Sequence, residues 1–284
     1  SFEDIPEEHR NAKPIVWAFI RKNPEYYPEL PEDWRASQTI ALEAVTKDGS
    51  LLKHVPHSLQ SRANDVVEAA IDQNKAALQF ATQEFKSTTH LKKQYIKKYG
   101  VSSFVEFGPA VNRTNRSTFL SLMKSAQDGS LLRFASDELK NDEEVIRLAL
   151  SFSKDGSVLE YASKTLRGIG DVVMIAMKQS VNAFQYAAPS LRNDSEFVLE
   201  AIAECADGAL LADATEGLQN DERVVLAALA RSANGAVVQY ASKELRNRSK
   251  VIHAALKFDP QGKFITNPEV LSYASDRLKD QRAF

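Results

Sequence analysis

The chain has 284 residues, 43% of them hydrophobic and 26% charged, with a formal net charge of -2. That balance is ordinary for a folded chain and excludes a protein held to nucleic acid by bulk positive charge. A single cysteine, Cys205, excludes an intramolecular disulfide framework and points to a reducing compartment, and no apolar run approaches the ~18 residues of a membrane span.

The acidic, polar start, "SFEDIPEEHR", does not read as a secretory signal peptide. Residues 1–38 read as a divergent N-terminal cap, with a weak first copy in "IVWAFIRKNPEYYPEL". From there the chain repeats itself around an anchor position that is usually aromatic. The anchors are His54, Phe80, Phe107, Phe134, Tyr161, Tyr186, Asp213, Tyr240 and Tyr273, in steps of 26, 27, 27, 27, 25, 27, 27 and 33. Self-similarity at 25–27 residues over nearly the whole chain is the mark of a solenoid. Residues 39–256 read as the repeats, and 257–284, after a six-residue expansion, as a C-terminal cap repeat.

Each copy has two periodic halves, predicting a helical hairpin. In "NDEEVIRLALSFSKDG", Val145, Ile146, Ala149 and Leu150 share a helical face, and Asn141 or Asp142 supplies the N-cap. Gly49, Gly129, Gly156, Gly208 and Gly235 follow, each placed to end a helix in the left-handed conformation. In the second half, Leu131, Leu132, Ala135 and Leu139 share a face, with Phe134 at its edge. Pro56, Pro109 and Pro189 predict that this second helix is short or broken. Nothing reads as a strand.

Two stretches depart from the pattern. The first is 86–118, with seven basic residues against Glu106 alone. In its "HLKKQYIKKYG", Leu91, Tyr95 and Ile96 take the places of Val145, Ala149 and Leu150, while Lys92 falls where Ile146 was. A charge run of this kind is most simply a solvated helix face. As a site, Lys92, Lys93, Lys97 and Lys98 with Tyr95 and Tyr99 suit an acidic peptide, a phosphate, an anionic membrane surface or single-stranded nucleic acid. Nucleic acid is disfavoured because no regular base-reading position recurs along the repeats. The second stretch runs from Asn193 to Glu222, with nine acidic residues and no Lys or Arg. Asp213 there is either a tolerated substitution at the rim of the core or, with Glu200, Glu204 and Glu216, part of an acidic patch for a basic partner.

Chemistry is sparse. His54 and His57 flank Pro56 with no further ligand near, so no metal or cofactor is expected. Cys205 takes a place held elsewhere by Ala126, Ser153 and Ser232, which marks it as packing. "RGIGD" at 167–171 follows no strand and is too short for a phosphate loop. No nucleophile, base and orienting group stand together.

The units "LEYASKTL", "LKNDEEVIRLAL" and "LQNDERVVLAAL" resemble the tandem repeats of domain-of-unknown-function family 4116, over roughly 40–280 and best over 128–256. The resemblance implies a bacterial chain, with some members delivered into host cells, and brings no catalytic residues. The expectation is therefore an all-α solenoid of nine to ten helical hairpins in one array over 1–284. It would be a non-enzymatic, monomeric scaffold in the cytoplasm, or in the host cytosol if delivered, that presents a long surface to a protein or peptide. The alternatives are the accessory or substrate-recognition domain of an enzyme, or a surface for anionic lipid or nucleic acid through 86–118.

Overall fold

The computed structural model describes residues 6–10, 12–205, 208–256 and 268–274. Asp207 of the acidic stretch, the expansion before Tyr273 and most of the expected C-terminal cap lie outside them. All regular structure among the described residues is helical. Contacts divide the chain into two compact units, Ser1–Ala126 and Gln127–Phe284.

One longer α-helix recurs about every 25–27 residues. In the first unit these are α1 (Lys13–Lys22), α2 (Gln38–Lys47), α3 (Asn64–Gln73), α4 (Thr89–Phe107) and α5 (Arg116–Ala126). In the second they are α6 (Glu143–Phe152), α7 (Gly170–Met177), α8 (Ser195–Cys205), α9 (Glu222–Arg231) and α10 (Ser249–Ala255). Most bury the same four places, as in Val66, Val67, Ala70 and Ile71 of α3, or Val224, Val225, Ala228 and Leu229 of α9. Within each unit successive helices pack on one another, α2 on α3 and α8 on α9 for example. The exception is α4, which rests chiefly on the segment Lys75–Phe80 rather than on α3.

The second half of each repeat is not one helix, which corrects the hairpin. In most repeats it is a 3-10 turn that ends at or beside the anchor, such as Gly129–Phe134, then an extended residue and a short helix such as Asp137–Lys140, whereas the copy of Phe107 is α-helical up to its anchor. The break comes at Ala135 (ψ 151°), Ala162 (153°) and Ala241 (150°), so it does not need proline. Pro189 instead opens its short helix, where a missing N–H costs nothing. Leu131 and Leu132 are buried on one piece and Leu139 on the other, while Phe134, Tyr161 and Tyr186 remain half-buried at the edge.

The Asn-Asp pair divides its labour. Asp142, Asp194 and Asp221 cap the long helix of their own repeat, accepting from Val145, Phe197 and Val224 N–H at 3.1, 3.1 and 3.4 Å. Asn141, Asn193 and Asn220 accept a hydroxyl of the next repeat, from Ser163, Thr215 and Ser242, at 2.5–2.6 Å. A backbone bond runs beside each, such as Ser163 N–H to Lys140 O at 2.9 Å and Ser242 N–H to Gln219 O at 2.9 Å.

The glycines have a different task from the one expected. Only Gly156 (φ 70°) and Gly235 (φ 69°) of the five are left-handed. What all five share is close approach to the long helix of the following repeat. A Cβ on Gly49, Gly129, Gly156, Gly208 or Gly235 would lie 2.1–2.5 Å from the carbonyl oxygen of Ala70, Ala149, Ala176, Ala228 or Ala255. Only a hydrogen fits there, directed at the carbonyl. Gly129→Ala is expected to cost about 2–3 kcal/mol, because backbone must move to admit the methyl group. Gly217, whose Cβ would meet nothing nearer than 3.8 Å, lies in a short helix, so Gly217→Ala is expected to be neutral or mildly stabilising. Urea denaturation of the two variants checks the contrast, and equal midpoints would contradict it.

Candidate functional site

In the first unit Gly49 makes the lock with Ala70, and the next junction lacks it. Lys75 stands where the pattern has glycine and Tyr95 where it has alanine, 20 residues on, as Ala149 is from Gly129. Tyr95 is buried, and its hydroxyl donates to Lys75 O at 3.1 Å. A phenol ring thus occupies the space that a hydrogen and a methyl group leave elsewhere, and α4 stands off from α3. The first part of α4 ends at Gly100, whose φ of 84° breaks the helix before it resumes toward Phe107.

Between α3 and α4 lies an open cleft of about 440 Å³, within the range of small-ligand and side-chain pockets. Its floor is Ile71, Phe85, Leu91 and Tyr95, and its rim is Glu68 and Asp72 from α3 and Gln94, Lys97, Lys98 and Tyr99 from α4. Asp72 ties the walls together, accepting from Lys98 Nζ at 2.6 Å and from the Tyr99 hydroxyl. These two donors hold the Asp72 carboxyl below the usual range, and the Lys98 ammonium is raised in turn. Burial first, and the Asp72 bond second, push the Tyr99 phenol up; burial does the same to Tyr95. The Tyr95 and Tyr99 rings lie 4.9 Å apart between centroids.

Of the six basic-cluster residues expected from sequence, four therefore line one cleft: Tyr95, Lys97, Lys98 and Tyr99. Lys92 turns inward, its ammonium 5.4 Å from the Phe104 ring centroid, and Lys93 is exposed outside the cleft. Sequence reading missed Glu68, Ile71, Asp72, Phe85, Leu91 and Gln94, which come from the neighbouring repeat or the near face. The signal for them was Lys75 in a glycine place facing Tyr95 in an alanine place.

The acidic residues do not form one surface. Glu200 and Glu204 line a hollow of about 390 Å³ with Arg147, Asp171, Met174, Ile175 and Lys178. Glu216 lines another, of about 780 Å³, with Tyr240, Lys243 and Arg246, and Asp213 is half-buried and lines neither. Bases one repeat away also meet the acids. Lys178 pairs with Glu204 at 3.1 Å, Arg223 with Glu196 at 3.2 Å, and both Arg248 and Lys250 with Glu222 at 2.5 and 2.7 Å. Beside Asp213, the Gln219 amide donates to Leu211 O and Ala214 O at 3.1 and 3.2 Å, bonding the carbonyls where the 3-10 turn ends.

His54 is half-buried, and burial, then Lys53 and Arg35, lower its imidazole. Cys205 is half-buried as well; the serines in its place, Ser153 and Ser232, accept from Gly156 and Gly235 N–H at 3.0 Å. Among the described residues no group of three or more His, Cys, Asp or Glu could hold a metal ion. No helix among them is long and apolar enough to cross a membrane.

The Asp72 bridge has a measurable signature. A depressed carboxyl contributes stability that is present above its unfolded value and lost as pH falls through the lowered one. The contribution is small because both partners are more than half exposed. Carboxyl NMR should show Asp72 titrating below ordinary aspartates, and Lys98→Met should move its midpoint upward. An unmoved midpoint in that variant would contradict the bridge.

The family model described as Domain of unknown function (DUF4116) matches residues 13–60, 37–86, 120–167 and 171–209. The matches omit 87–119, where α4 departs from the pattern, and stop at 209, short of the repeats that resemble the family up to 256. No curated protein and no solved structure matches the chain. The four segments cover more than half of its length, and the chain belongs to the DUF4116 family.

Proposed function

We propose that the protein is a non-enzymatic scaffold whose repeats stack, within each unit, as an α-solenoid, and that it binds a segment of a partner protein in the cleft between α3 and α4. The observation that carries this reading is the replacement of the glycine–alanine lock by Lys75 and Tyr95, beside which an apolar-floored cleft lies open. Here close packing gives way to a hollow with an aromatic and aliphatic floor and a charged rim, the composition that side-chain recognition uses. At the rim Asp72, Lys98 and Tyr99 are committed to one another, which suits holding a ligand better than moving protons.

The test is to close the cleft. Lys75→Gly with Tyr95→Ala restores the residues of the regular lock and should draw α4 onto α3. Peptides selected from a random displayed library on the wild-type protein are expected to lose at least about tenfold in affinity for this variant. Unfolding should remain cooperative. If no peptide is enriched, or if the selected peptides bind the closed variant equally well, the reading fails.

A further inference from the structure

The two walls of the cleft carry opposite charge. Every charged lining residue from α3 is acidic, Glu68 and Asp72, and every one from α4 is basic, Lys97 and Lys98. Asp72 and Lys98 satisfy each other across the groove. Glu68, one turn before Asp72 on α3, and Lys97 on α4 are exposed and make no ion pair among the described residues. One uncommitted acid on one wall and one uncommitted base on the other leave the groove electrostatically polar across its width.

The floor says what shape fits. Elsewhere in each unit a long helix packs against the next, and here α4 stands off from α3, so the missing neighbour is a helix face. Leu91 and Tyr95 are four residues apart on α4, and Ile71 faces them from α3, giving short rows of the kind that accept the ridge of another helix. The lining runs from Glu68 to Asp72 on α3 and from Leu91 to Tyr99 on α4, one to two helical turns, the length of contact that one or two turns of a partner helix present.

We infer that the cleft takes an amphipathic α-helix whose apolar stripe is flanked by basic residues on one side and acidic residues on the other, and that the charged walls fix the direction in which it lies. The basic flank faces Glu68 and the acidic flank faces Lys97. Turning the helix end for end would place each flank against its own sign, so polarity across the groove becomes direction along it. This inference rests on the scaffold reading above.

The experiment uses two synthetic helical peptides of about 15 residues. They share one leucine stripe, with lysine on one flank and glutamate on the other, and the flanks are exchanged between them. Each carries a nitroxide at its N-terminus, and broadening of amide signals along α3 is read by NMR on the full chain at low salt. The two peptides should broaden opposite ends of α3, one near Asn64 and the other near Gln73. In the Glu68→Lys/Lys97→Glu variant, whose two substitutions lie on exposed side chains, each peptide should broaden the other end. Binding with the same end broadened by both peptides, or with both ends broadened equally, overturns the direction while leaving the scaffold reading intact. Saturable binding by neither peptide overturns both.

Discussion

The contact on which the repeats depend is the approach of a glycine to the carbonyl of an alanine one repeat further on. Alanine keeps the long helix slim, and glycine removes the only atom that would hold the 3-10 turn away. With backbone against backbone, the branched residues at either side interdigitate, and Val145, Ile146 and Leu150 disappear from solvent entirely. The asparagine-to-hydroxyl bond and the peptide bond beside it fasten the opposite end of the repeat. Hydrophobic burial supplies the driving force, and these two contacts decide how closely neighbours sit.

The same contact explains the cleft. Widening one junction with a phenol ring opens a volume that solvent or a ligand must fill, and the ring supplies part of the floor. Val181 also stands in a glycine place, with Ala201 in register, and the hollow of Glu200 and Glu204 lies along α6, α7 and α8. The hollow of Glu216, Tyr240, Lys243 and Arg246 shows that concavity also arises where the lock holds, between Gly208–Ala228 and Gly235–Ala255.

Period and core were legible in the sequence because burial repeats with the anchor; Val145, Ile146, Ala149, Leu150, Leu131, Leu132 and Leu139 are all interior as read. The broken second half was half legible. Proline announced it in three copies, but Ala135, Ala162 and Ala241 break the chain with no distinctive residue. The glycines were visible but only Gly156 and Gly235 are left-handed as expected, since a glycine used for closeness looks the same in sequence as one used for a left-handed turn. Tyr95 was seen in an alanine place, yet its meaning depends on Lys75, which only packing brings opposite it. The surroundings of the acidic stretch were hidden for a related reason: Glu196, Glu204 and Glu222 meet bases about one repeat away in sequence, as Arg223 is from Glu196, and a linear window omits those charges.

The lock has one further consequence. Each glycine meets an alanine 20 or 21 residues ahead, and each asparagine a hydroxyl 22 ahead. A gain or loss of one whole repeat re-forms the same pairs at the new junction. A gain or loss of two or three residues between the glycine and its alanine displaces both partners at once and leaves no neighbouring pair to take over. The lock thereby holds the stretch from glycine to alanine at 20 or 21 residues, while the stretch from alanine to the next glycine is free to vary, from five residues at Ala44–Gly49 to seven at Ala149–Gly156.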